Sequence, residues 1–456
     1  GEAELEILDG LAATTAELTI IDGNTSATST TVADADRVVM NDNGTMVQVA
    51  VTDLAAYFDD EITAMPNLVT VGAGGTASTV AGIPFFSADN SIYTHDVSGT
   101  DDTAQHNAAY GIGAMDAITT GDQNSALGYN ALSANNTGAQ NTAMGRLSLE
   151  ANTSGDNNTA YGSSTLSANS TADDNTAIGK GSMQANTTGT TNTAVGKDSL
   201  KANTTGDANT AVGKGALTAN TTAANNTAMG YLSLTANTTG AQNTAFGRNT
   251  LDANTTASEN TAIGNSAMGN NTTGANNTAV GSAALFTNTT ADNNVAVGFE
   301  AMKLNTTGAG NIGIGYQAME LNTTGTRNIA IGFEAYANSD TESDNLAIGY
   351  QAMTANTAGG VQNIALGNYA LDALTSGDDN VAIGLNSLGA TTTGSANIGI
   401  GGNTGAANTT GTRNIAIGYE AYDNSDTEND NMAIGYRAMT VNTAGGTTNI
   451  AIGNYS

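Results

Sequence analysis

A five-residue phrase, N-T-A-φ-G with φ apolar, recurs through most of this chain at a spacing of 17 residues. Its glycines begin at Gly111, Gly128 and Gly145 and end at Gly435 and Gly453, making twenty-one copies. Two spacings are 18, and each carries an added glycine, at Gly359-Gly360 and Gly445-Gly446. So strict a period predicts a solenoid in which one unit makes one coil and the coils stack along an axis.

Numbered from its Asn as position 0, the unit has Asn there in every copy, from Asn107 to Asn449. Position 2 is Ala in nineteen copies and Gly at Gly313 and Gly399; position 4 is always Gly. Position 3 is apolar (Ile178, Val195, Met229), position 8 is mostly Leu or Met (Leu149, Met183), and positions 11–14 commonly read N-T-T-G. Strand side chains alternate in direction, so positions 1 and 3 face one way and 0, 2 and 4 the other. The pattern predicts two short strands per coil, at positions 1–4 and 7–10, with turns at the invariant Gly and at the N-T-T-G corner. Stacked copies are expected to build a structural ladder from Asn175, Ala177 and Gly179 onto Asn192, Ala194 and Gly196, the Asn amides bonding coil to coil. Positions 3 and 8 are expected to fill a thin core. The small strip at positions 2 and 4 is then left for close approach of a second chain, and a three-fold assembly along the long axis is expected. Burial of about two large side chains is slight against about 1–2 kcal/mol of backbone entropy for each of 17 residues.

The chain ahead of the repeat divides into three stretches. Residues 1–31 hold a 13-residue β-repeat, A-E-L-E-I-L-D-G and then A-E-L-T-I-I-D-G, alternating apolar residues before Asp-Gly turns. Residues 32–66 read as a hairpin, with Arg37 to Met40 and Met46 to Val49 flanking N-D-N-G-T, and then a short helix from Leu54 that Pro66 ends. Residues 67–106 are expected to form a β-rich transition that caps the first coil. Residues 107–456 are the solenoid. Gly1 in place of Met predicts a natural N-terminus further upstream. Ser456, in mid-unit, predicts continuation of the chain or a second subunit stacked on that end.

The head resembles N-terminal parts of bacteriophage tail fibre proteins, through residues 3–10, 16–23 and Val39 to Met46. The N-T-A-I-G-x-x-A-L unit resembles the head repeat of trimeric autotransporter adhesins. That resemblance implies three chains, each a left-handed parallel β-roll, packed about a common axis. The unit here is longer than the family's and uses Asn-Thr where the family often has Ser. The family's membrane anchor and coiled-coil stalk do not occur in this sequence, which favours the phage reading.

Net charge is −31, from 42 acidic and 11 basic residues. Nucleic-acid binding needs a basic footprint, and none is expected here. No run of 18 apolar residues occurs, so no inserted membrane helix is expected. Cys is 0, which removes disulfides and thiolate metal sites. With two histidines, both ahead of the repeat, and no nucleophile pattern, no enzyme activity is expected.

Position 1 is Thr from Thr142 to Thr278 and apolar from Val295 onward. Residues 326–369 return almost verbatim at 412–455, the mark of a duplication. Two acidic loops place carboxylates alternately, Asp340, Glu342 and Asp344, then Asp426, Glu428 and Asp430. Alternate carboxylates can gather about Ca²⁺; the plainer reading is a solvated loop, and no other cofactor is suggested. Position 5 carries Phe299, Tyr316, Phe333 and Tyr350 on consecutive coils, for glycan binding or for packing, and Arg146, Lys180, Lys197, Lys214 and Arg248 earlier, expected to pair between chains.

The fold expected is all-β, a trimeric parallel β-solenoid or β-roll of 17-residue repeats with a small mixed β N-terminal region. The function expected is a structural fibre of a bacteriophage tail or virion appendage, extracellular, that attaches to a host surface glycan or protein. It would join a virion or tail attachment protein through its N-terminal region. The alternative is a bacterial extracellular adhesin or self-assembling surface filament.

Overall fold

The structure, a computed structural model, describes residues 37–42, 45–50, 78–80, 83–88, 91–93, 103–357, 359–424, 426–440 and 446–456. The expected 13-residue β-repeat at 1–31 and the helix from Leu54 lie outside these residues. The chain divides into two compact units, residues 1–72 with 78–84, and residues 73–77 with 85–456.

In the first unit β1 (Arg37–Asp42) pairs antiparallel with β2 (Thr45–Ala50), in register from Arg37↔Ala50 to Asp42↔Thr45. β3 (Ser78–Val80) follows.

The second unit is a parallel β-solenoid, and no helix occurs among the described residues. β4 (Ile83–Ala88), which belongs to this unit from Phe85 on, ends antiparallel to β5 (Ser91–Tyr93), pairing Phe86 with Tyr93. β5 then pairs parallel with β6 (Ala108–Tyr110). From there twenty-one three-residue strands, β6 to β26 (Ile450–Ile452), pair each with the next, like residue on like residue: Thr176↔Thr193, Ala177↔Ala194, Ile178↔Val195. Among the described residues β26 pairs only with the strand before it, so the ladder stays open and is not a closed barrel. At the usual strand spacing of about 4.8 Å, twenty-one coils stack to roughly 100 Å.

Each coil has one strand, at positions 1–3, and not the two expected. Positions 5–10 are a run of turns with left-handed backbone at positions 6 and 8, as at Leu147 (φ 59°) and Leu149 (φ 50°). Alternation of side chains fails in such a run, so neighbouring positions 7 and 8 both point inward; Ser182 and Met183 are fully buried. Coil-to-coil bonding continues without extended backbone, with Met183 N donating to Ser199 O (3.0 Å) and Ala185 N to Lys201 O (3.0 Å).

The sides of the strand are also the reverse of the expectation. Ala177 and Ala194 are fully buried, whereas Ile178 is 40% exposed. The coil is too thin to hold a large residue on both walls. Position 8 supplies the bulk, and position 2 opposite must be small. Gly313 shows the fit, since a Cβ there would lie 2.7 Å from Met302 Cγ. The Ala strip is therefore interior, and the large residues at position 3 are left outside. Position 4 must be Gly on two counts. Gly179 has φ +123°, and a Cβ on it would meet Gly196 O at 2.6 Å.

Candidate functional site: the outward sheet face and its flanks

Two buried amide ladders set the shape that this face presents. At position 0, Asn192 N donates to Asn175 Oδ1 (3.0 Å), and Asn192 Nδ2 donates to Gly206 O (2.8 Å). This ladder runs from Asn107 to Asn449 without a break. A second ladder stands at position 11, which the sequence reading placed in a plain corner. There Asn203 Nδ2 donates to Asn186 Oδ1 (2.8 Å) and to the same Gly206 O (2.9 Å). Its signal in the sequence is the near-constant Asn opening each N-T-T-G corner. It is continuous from Asn135 to Asn322. Beyond that, Ser339, Leu374 and Thr391 interrupt it, and the Oδ1 atoms of Asn322, Asn356 and Asn408 are buried without a partner. Such an orphaned acceptor costs about 1–3 kcal/mol.

With Asn, Ala and Leu turned inward, positions 1 and 3 form a flat outward face along the whole sheet. From Thr142 to Thr278 it reads Thr beside an apolar residue; from Val295 it is apolar at both positions, as at Ile398 and Ile400. Ile178, Phe246, Ile263, Ile314, Leu366 and Ile400 are all more than a third exposed. At the N-terminal end of the face Ile92, Tyr110, Leu127 and Met144 line an apolar groove of about 290 Å³.

Position 5 flanks the face. Phe299, Tyr316, Phe333 and Tyr350 stack with centroids 5.4, 5.0 and 5.2 Å apart and planes within 13°. Tyr369 closes the run edge-on at 5.3 Å. Each inner ring is covered on both faces by its neighbours, so the run offers ring edges and not the open faces that a sugar stacks on. Asn368 replaces the aromatic at the end of the run, and its Oδ1 accepts from Tyr350 N (2.9 Å). The pattern returns at Tyr419, Tyr436 and Tyr455, with Asn454 accepting from Tyr436 N. Beside the first run, position 6 alternates Glu and Gln. Gln317 Nε2 donates to Glu300 Oε2 (2.9 Å), and Gln351 Nε2 to Glu334 Oε2 (2.6 Å). The bonds from Lys303 and Gln317 hold the Glu300 carboxyl below its ordinary pKa.

The acidic loops send their carboxylates to separate partners. Asp340 accepts from Thr323 Oγ1, and Asp344 takes both donors of Arg327 (2.6 and 2.7 Å), which holds its pKa low. Glu342 turns inward and is 3% exposed. Its Oε2 accepts from Asp340 N and Thr341 N, and its Oε1 from Gly359 N of the next coil (3.0 Å). The second loop repeats this with Asp426 on Thr409, Asp430 on Arg413, and Glu428 on the amides of Asp426 and Thr427. Among the described residues no three His, Cys, Asp or Glu side chains gather as a metal site.

Glu342 belongs to a device that accommodates the longer coils. Position 8 of its coil is Tyr336, whose buried hydroxyl accepts from Asn345 Nδ2 (2.6 Å) and Asn356 Nδ2 (3.1 Å). Burial pushes the Tyr336 phenol far above its usual range. Tyr422 and Glu428 stand in the same places before the second 18-residue coil. The added glycine of each long coil thus goes with a larger core residue and an inward carboxylate one coil earlier.

No protein-family model matches the chain, and neither does any curated protein or solved structure.

Proposed function

We propose that the chain is the shaft of an extracellular fibre, a bacteriophage tail or virion appendage that holds a host surface at a distance. It works as a homotrimer whose chains meet through positions 1 and 3. The observation that carries this is the continuous outward row of large apolar residues. Exposed apolar patches beyond a few hundred Å² mark association sites on soluble proteins, and this row runs the length of the sheet. An in-register stack also suits a shaft mechanically, since every coil bonds only to its neighbours and length is set by coil number. The first part of the chain, with its hairpin, is the segment assigned to attachment on the virion.

Sedimentation and light scattering of the full chain test the reading. The expected particle is elongated, with a mass near three times the 45.4 kDa chain. A monomer at micromolar concentration would remove the shared face and the fibre with it.

A further inference from the structure

We propose that the row Lys180–Lys197–Lys214 is a track for an anionic polysaccharide, one carboxylate-bearing sugar to each coil. This deepens the attachment reading above by naming the chemistry of the surface that is held.

The three lysines occupy position 5 of consecutive coils and are exposed. Theirs is the longest run of like charge in any row of the repeat, in a chain of net charge −31. In the later coils cations pair with carboxylates, as in Arg327 on Asp344 and Arg413 on Asp430. Beside the lysine row the carboxylate within reach is Asp198, 3.2 Å from Lys201 and 3.6 Å from Lys197. Among the described residues Lys180 and Lys214 have no ion-pair partner; Lys214 lies over the Tyr231 ring, 5.5 Å from its centroid. The coil itself does not require a cation here, because position 5 is Ser163 one coil earlier and Tyr231 one coil later. Like charges on three consecutive coils repel, and an external anion relieves that repulsion.

Spacing selects the anion. Position-5 side chains on adjacent coils stand 5.0–5.4 Å apart where rings occupy them. An extended 1,4-linked hexuronate polymer has a similar rise per sugar, and each sugar brings one carboxylate. The Tyr231 ring is exposed at the end of the row, outside the face at positions 1 and 3, and offers apolar surface to sugar C–H groups. Nucleic acid fits less well. Single strands need aromatic platforms between the cations, and here three coils pass before the first ring. Acids on distant coils act weakly on the row, since salt screens them beyond about 8 Å.

The test titrates the full chain with polygalacturonate and with its neutral methyl ester, by calorimetry at two salt concentrations. Binding of the acid form only, weakened at least tenfold in K180Q/K197Q/K214Q, kept in K180R/K197R/K214R and falling with salt, is the expected result. Circular dichroism and sedimentation of each variant establish that it is folded and carries the native mass. Equal affinity in the glutamine variant, or equal binding of single-stranded DNA, would overturn the proposal. So would a glutamine variant that changes mass while the parent ignores the polymer, because the lysines would then serve chain-to-chain pairing. An elongated trimer that ignores polygalacturonate sinks this inference alone; a monomer sinks the fibre reading.

Discussion

The coils from Thr142 to Thr278 and those from Val295 onward share one backbone and one register, yet they are stabilised differently. The early coils have an unbroken second Asn ladder inside and Thr on the outward face. The later coils interrupt that ladder at Ser339, Leu374 and Thr391, and they carry aliphatic residues and stacked rings outside. On that ladder the orphaned carbonyl oxygens lie in the later part, at Asn322, Asn356 and Asn408; away from it the early coils leave one, Asn249 Oδ1. Interior hydrogen bonding and outward apolar surface therefore trade places along one solenoid. A coil with a complete polar interior is closer to self-sufficient; one with gaps and a greasy face gains more from a partner.

The largest expected effect tests what the two zones share. Gly179→Val and Gly384→Val each place a branched side chain at φ +123° and +134° against the next coil's carbonyl. Both should break the stack locally, with several kcal/mol lost, and hydrogen exchange should show the opening on either side of the substituted coil. Unequal damage would mean that the backbones are not equivalent. Next comes the outer face. Lysine at Ile398 and Ile400 together should dissociate the assembly, while lysine at Thr176 and Ile178 should weaken it less; sedimentation velocity reads both. If the early pair proves the more disruptive, the contrast in faces is not what holds the chains.

The interior contrast predicts a smaller difference. Asn203→Ala removes bonds to Asn186, Gly206 and Asn220 and should cost about 2–4 kcal/mol. Asn356→Ala, at an already broken rung, should cost about 1 kcal/mol less, since its Oδ1 has no donor to lose. Local exchange rates around each coil give the comparison. Smallest is a pair of matched carboxyls at position 9. Burial raises the pKa of both Asp252 and Asp372. A carboxyl with a raised folded pKa weakens the fold when ionised, and the penalty fades as pH falls through that folded pKa. Asp252→Asn and Asp372→Asn should therefore raise Tm slightly at pH 7 and by less at pH 3, equally in the two zones. A larger gain at low pH would reverse the sign of the argument.

The period, the parallel in-register stacking and the single solenoid from residue 107 were legible without any structure, because a repeat that exact leaves one way to satisfy every backbone group. Strand parity was legible too, since alternation follows from extended geometry at Thr176, Ala177 and Ile178. Which parity faces inward was not. Local pattern favours burying the larger Ile178, and only the closed width of the coil, with Leu or Met crossing from position 8, forces Ala177 in and Ile178 out. The second amide ladder was hidden for a related reason. Asn-Thr-Thr-Gly is ordinary corner chemistry in sequence, and Asn186 becomes a rung only when the turn swings it beside Asn175 onto the same carbonyl. The carboxylates of 340–344 look like a group in one dimension. In three, Thr323, Arg327 and the amide of Gly359 draw them apart. The sequence by itself determined what repeats and how the copies align; tertiary packing alone decided inside from outside, because that depends on the volume that a whole closed coil can hold.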